Sequence, residues 1–332
     1  MATEHNAQAR LQANSNGDPL EKDFSRNGTL NGNYTNGADT YHMNDINMEH
    51  GDALRRIRTA GSISISPELF EKIYLSPQNA VKGDLRKTFA NPTPLCIVGF
   101  LLSLSPLSCD LMGWRGSGGN GAAGIGTYYF FGGLLMILGA VMEFLLGNTF
   151  PFVVFGSFGA FWLAYSATLQ PFYYAYGLYA PPGEPEAAGL ETVGFTASFA
   201  FFLVFMGVLC LIYLICSLRT NVVFVVIFFT LVLAFGLLAG SFWHNANAYG
   251  NTNAAAAADS LALSHRLQVA AGACTFVTSM AGWWIFAAIM LAALDFPFQI
   301  PVGDLSTLIK GASESEKMKR QAIRDEEQDM GV

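Results

Sequence analysis

Charge is what this sequence has least of: Asp, Glu, Lys and Arg make up 13% of its 332 residues, against 52% hydrophobic residues. An ordinary soluble domain carries about 25% charged residues, so this composition excludes that class, and no nucleic-acid partner is expected. Histidine is also scarce. Of the five, only His244 and His265 fall near apolar segments, in what reads as a loop; paired haem ligands facing each other across a bundle are therefore missing. The five cysteines, Cys96, Cys109, Cys210, Cys216 and Cys274, lack ligand spacing and nearby His. Their scatter excludes a disulfide framework or zinc site and predicts small buried apolar residues instead. The polar stretch after Met1 is unlike a signal peptide, so insertion is expected to begin at the first membrane helix. No base can be placed beside a nucleophile; no catalytic residue is assigned, no cofactor is implied, and the chain is not expected to be an enzyme.

What is present is a series of uncharged runs. Spans free of Asp, Glu, Lys and Arg cover residues 88–109, 116–142, 144–183, 192–218, 220–258 and 267–294. Each can hold a helix of roughly 20 residues, enough to cross about 30 Å of hydrocarbon. Six membrane helices are predicted near 93–112, 125–146, 152–170, 194–217, 221–243 and 267–294. A soluble helical bundle would need polar faces at helical spacing, and the run from Phe199 to Leu218 has none. A membrane barrel would need short segments of alternating polarity. The fold class is an all-α membrane protein, a six-transmembrane-helix bundle.

Basic residues set the orientation. Lys82, Arg86 and Lys87 precede the first helix, Arg219 lies between the fourth and fifth, and Lys310, Lys317, Lys319 and Arg320 follow the sixth. Both termini are therefore expected in the cytoplasm, with the acidic loop PPGEPEAAGLE and the stretch from His244 to His265 on the other side; Arg115 and Arg266 run against the trend. Three regions follow: a disordered cytoplasmic tail at 1–85, a transmembrane domain at 86–296 and a cytoplasmic tail at 297–332. The first tail is rich in Asn, Gly, Ser and Asp and holds too little apolar surface to offset its ordering entropy. Its two glycosylation patterns, at Asn27 and Asn33, are expected to stay unmodified in the cytoplasm. Ser62, Ser64 and Ser66, downstream of Arg55, Arg56 and Arg58, suit a phosphorylation switch or an ordinary solvated tail. Residues 68–77 have the apolar face of a short interfacial helix.

Within the spans, Gly132 with Gly133, Gly156 with Gly159, and Gly236 with Gly240 permit close helix packing. Glu143 is the carboxyl inside a span. Such a group is a functional candidate by default, and equally suits a helix-end carboxyl that bonds a neighbouring helix or reaches water. Asp110 and Asp295 mark helix ends. A pore through this nearly uncharged bundle would be lined by apolar rings, hydroxyls and backbone, and would select by size and dewetting. Small, weakly charged or protonatable solutes fit it.

Three motifs then act together: NPTPLCIVGF at 91–100, FFGGLLMILGAVMEFLLGNTF at 130–150, and SFGAFW at 157–162. In order and spacing they resemble the acetate uptake transporter family, over about residues 88–295. The resemblance implies a hexameric ring of six-helix protomers in the cell membrane, one pore in each, carrying acetate and similar short monocarboxylates with protons. It implies a pore constriction at Phe100, Phe158 and Leu231. Helix breakers at membrane depth are tolerated where they line a cavity, so Asn91, Pro92, Thr93, Pro94 and Leu95 are expected to form a pore entrance or substrate-binding segment on the cytoplasmic side. Thr93 and Cys96 depart from the family's common choices, and Phe158 stands where the family often has Tyr, which removes a hydroxyl from the gate.

An isolated carboxylate is very costly in an apolar passage. The acid form, with a pKa of about 4 to 5 by analogy with side chains, avoids most of that cost, so proton-linked uptake is the expected mechanism, with Glu143 as a proton or packing partner near the inner end. Two other readings compete: a sensor or regulator of acetate adaptation, and ammonium export. The second lacks the paired intramembrane histidines of ammonia channels.

Overall fold

Helix starts are dictated locally. Thr192, Asn221 and Asn253 each cap the helix that follows, their side-chain oxygens accepting from Phe195 N (3.4 Å), Phe224 N (2.9 Å) and Ala255 N (3.0 Å), which satisfies amides that a helix N-terminus otherwise leaves open. The computed structural model describes residues 89–305, 315 and 318–323, within one compact unit, Thr40–Val332. The expected disordered tail, its two glycosylation patterns, the serines at 62–66 and the interfacial helix at 68–77 lie outside the described residues.

Six segments are long and apolar enough to cross a membrane. They are α1 (Thr93–Leu111), a second span Gly119–Leu145 that ends in α2 (Met136–Leu145), α3 (Thr149–Leu169), α4 (Val193–Ser217), α5 (Val222–Tyr249) and α6 (Ala254–Ala293). The second span is irregular: 3-10 turns at Gly119–Gly124 and a π-helical stretch at Tyr128–Leu135 precede α2. A π stretch widens the turn, and here it brings the span onto α3. A Cβ at Gly132 would stand 2.5 Å from Cγ of Trp162, so only glycine permits this approach.

The stretch from His244 to His265, expected as a loop, is instead helical: α5 runs on to Tyr249, α6 begins at Ala254, and only residues 250–253 connect them. No glycine or proline lies between His244 and Gly250, and five consecutive alanines from Ala254 favour helix. At 1.5 Å per residue, the 40 residues of α6 span about 60 Å, well beyond the hydrocarbon. His244 and His265 therefore sit on helices.

The backbones pack in the order α4, α5, α6, α1, second span, α3. Between α3 and α4 the contact is made by rings: Phe161 stacks on Phe202 (5.9 Å, 16°), and Tyr165 meets Phe199 (6.5 Å). Several inward hydroxyls bond across helices, since lipid offers them no partner. Thr230 bonds Thr278 (2.7 Å), Ser241 bonds Ser264 (2.8 Å), and Trp283 Nε1 donates to Ser105 Oγ (3.1 Å). Outward, α4 presents Phe201, Phe205, Val208, Ile212 and Ile215 at helical spacing, all exposed, the stripe expected of a face that meets lipid or another protomer. Cys96 and Cys210 are buried as expected; Cys109 and Cys274 are half-buried, and Cys216 is exposed.

After α6 the chain turns back beneath the bundle. Val222 N donates to Gly303 O (2.8 Å) and Leu305 N to Thr220 O (3.0 Å), pairing this strap with the α4–α5 connection. Trp284 Nε1 donates to Pro301 O (2.8 Å), and Val302 is buried in the apolar core.

Candidate pore and its two ends

The NPTP segment starts a helix. Asn91 Oδ1 accepts from Thr93 N (2.9 Å), Pro92 is the residue ahead of the first turn, and its carbonyl accepts from Leu95 N and Cys96 N (3.0 and 3.3 Å). Pro94 occupies the first turn, where a missing N–H costs nothing. Pro92 and Thr93 are buried; Asn91, Pro94 and Leu95 are half-buried.

Thr93 faces Glu143. Its hydroxyl donates to Oε1 at 2.5 Å, and Asn148 Nδ2 donates to Oε2 at 2.6 Å, with Glu143 and Asn148 all but inaccessible to solvent. The turn between α2 and α3 builds this cluster. Gly147 adopts φ 76°, Gly147 N donates to Phe144 O (3.0 Å), and Asn148 N donates to Glu143 O (2.9 Å). This is the Schellman pattern, with glycine in the left-handed position after the helix. Asn148 thus closes α2, opens α3 and holds the carboxyl. It was missed in the sequence, although Gly-Asn after an apolar helix signals such a turn.

Further along α1, Phe100 meets Phe158 of α3 edge to face, 5.8 Å and 69°, and Phe158 contacts Tyr213 of α4 at 6.4 Å. Leu231 of α5 is buried in the same apolar cluster. The residues singled out thus fall at two levels of one bundle: Asn91 to Leu95 with Glu143 at its NPTP end, and Phe100, Phe158 and Leu231 deeper in.

Beyond that level a cavity of about 250 Å³ opens toward the other end. Leu107 of α1, Tyr165 of α3 and Leu238 of α5 line it, each seven residues past Phe100, Phe158 and Leu231. Seven residues are two turns, about 10 Å along a helix, and return to nearly the same face. Phe161 and Phe199 add aromatic wall, and Asn245, Gln268 and Glu191 add polar groups. Tyr165 Oη donates to Asn120 O, tying α3 to the entry of the second span. These residues come from distant parts of the chain, and no local pattern marks them.

The model of the GPR1/FUN34/yaaH family matches residues 75–307. Over 245 residues the chain is 46% identical to Protein alcS of Aspergillus fumigatus, covering 74% of this chain and 86% of that one. It is 30% identical to the acetate transporter protein patA of Aspergillus clavatus (66% and 79% covered) and 27% identical to ammonia transport outward protein 2 of Saccharomyces cerevisiae (59% and 70%). Among solved structures, the bacterial acetate channel SatP aligns at 24% identity with a TM-score of 0.48, over 65% of this chain and 99% of that one. With the family model spanning the entire helical bundle, the chain belongs to the GPR1/FUN34/yaaH family.

Proposed function

We propose that this membrane protein carries acetate and similar short monocarboxylic acids across the cell membrane, entering as the neutral acid, so that uptake is linked to protons. One observation carries the reading. Phe100, Phe158 and Leu231 lie on three different helices, and two turns beyond each, the same three helices line the 250 Å³ cavity. A small vestibule followed by an apolar constriction suits a small solute that can shed its charge, because an ion would meet rings, aliphatic groups and a few already bonded hydroxyls there. The cavity falls below the roughly 300–1,000 Å³ of pockets for drug-sized ligands. The acetate transporter among the relatives supports the same substrate class.

In this reading Asn91 to Leu95 form the cytoplasmic mouth, both tails lie in the cytoplasm, and protomers assemble as a hexamer. Donors on both Glu143 oxygens favour the packing role over proton transfer. The relative named for outward ammonia transport motivates a second reading, ammonium export. The test is flux into liposomes holding the purified full chain, with labelled acetate and labelled methylammonium side by side. Acetate uptake driven by an inward proton gradient supports the proposal; methylammonium flux without acetate flux overturns it.

A further inference from the structure

Among the described residues, the vestibule wall carries no positive side chain. Its ionisable lining residues are Glu191, just before α4, Tyr165 of α3 and Tyr249 of α5; α1, α6 and the entry to the second span contribute none to the wall. Tyr249 stands within electrostatic reach of Glu191, and Asp110 of α1 within reach of Tyr165. Glu184 and Glu186 share the α3–α4 connection with Glu191. Glu191 is thus the formal charge in the wall, while Arg115, His244, Asp259, His265 and Arg266 belong to the same end of the bundle but not to the wall. At the nearby first turn of α4, Thr192 Oγ1 and Thr192 O accept from Phe195 N and Thr196 N.

A site that collects a carboxylate needs a cation or converging N–H groups. This one does the reverse: a carboxylate entering it meets like charge, which disfavours the ionised form. A protonated carboxyl group, by contrast, presents one donor and one acceptor, and a carboxamide presents both kinds in return. Asn245 and Gln268 supply carboxamides in the wall.

Resting on the monocarboxylate reading above, we infer that Glu191 is a charge-selecting residue, which repels the carboxylate and leaves the vestibule to the protonated acid. Its action is electrostatic, and no bond is made or broken. Glu191 is exposed, and a unit charge at about 6 Å in water at physiological salt changes the local concentration of one ion by about twofold, hence a cation-to-anion ratio by about threefold or more.

The test reads the vestibule directly. In full-length protein carrying Cys216→Ser, a reporter Thr168→Cys is placed in the cavity wall and the protein reconstituted in phosphatidylcholine vesicles. Anionic sulfonate and cationic ammonium methanethiosulfonates of similar size then label it, with the protein lacking Thr168→Cys as background. With Glu191 present the cationic reagent reacts faster. Glu191→Gln lowers the cation-to-anion rate ratio three- to tenfold, and Glu191→Lys inverts it. A ratio unmoved by both substitutions overturns the inference. Acetate flux in the same vesicles separates the two claims. If the ratio shifts but no variant carries acetate, the charge filter stands and the monocarboxylate reading falls. If acetate flows while the ratio is unmoved, the filter falls alone.

Discussion

Thr93 and Glu143, fifty positions apart in sequence, meet through a 2.5 Å hydrogen bond between the first turn of α1 and the last turns of α2. The motif that starts one helix is thereby fastened to the carboxyl that ends the next, and Asn148 brings in α3 from the other side. Three helices are registered by one buried carboxyl at the end of the bundle that carries NPTP.

If packing is the task of this carboxyl, Glu143→Gln keeps it. The new carbonyl accepts from Asn148, the Thr93 hydroxyl rotates to accept from the amide, and acetate flux keeps its dependence on the proton gradient. Glu143→Leu and Thr93→Val leave buried partners unsatisfied, at about 1–3 kcal/mol each, and are expected to lower the unfolding temperature in detergent. Flux that survives Glu143→Gln but loses its gradient dependence would return the residue to proton coupling.

The proposed constriction makes a size prediction. Phe158→Ala and Leu231→Ala remove apolar bulk from the level where Phe100 and Phe158 meet at 5.8 Å, so longer-chain monocarboxylates gain on acetate by roughly tenfold, the scale of one or two methylenes in an apolar site. Leu231→Trp fills the level and should stop flux without loss of fold. Relative uptake of acetate and a longer acid into liposomes measures both. Unchanged selectivity in all three variants would move the constriction elsewhere.

The strap after α6 is held by its buried valine and by backbone pairing. Val302 is 3% exposed, so Val302→Asp places a charge in an apolar setting and frees the strap, seen as faster limited proteolysis around residues 296–305. Trp284→Phe removes the bond to Pro301 O and part of the indole surface, the bond costing about 1 kcal/mol. Equal proteolysis rates for both variants and the parent would refute the strap's dependence on Val302.

Thiol labelling checks the helical register. Cys216, exposed in the last turns of α4, is expected to react with a maleimide in detergent at least tenfold faster than the buried Cys96 and Cys210, with Cys109 and Cys274 between. Peptide mapping of the labelled protein reads this out. Fast labelling of Cys96 would show that α1 is turned differently from the arrangement here.

Much of the architecture was legible because burial in lipid leaves a one-dimensional trace. A span must be long, apolar and uncharged, and its ends fall near polar caps such as Asn221. Where that rule is silent the reading failed. Residues 244–265 carry two histidines, Asp259 and several amides, which read as a loop, yet a helix outside the bilayer tolerates polar residues, and alanine and capping carried α5 and α6 onward. Cys216, expected to be buried, faces outward because exposure depends on which side of α4 meets α5.

Sequence alone determined the six helices, the breakers that start α1 and the family, because hydropathy, proline and motif order are properties of contiguous residues. Only the tertiary structure decided that Thr93, Glu143 and Asn148 form one cluster, that Phe100 and Phe158 touch, and that a vestibule lined by Tyr165, Leu238 and Glu191 opens two turns beyond them. The physical reason is the same in each case. Which faces of separate helices meet is set by how all six pack at once, and no single segment records that choice.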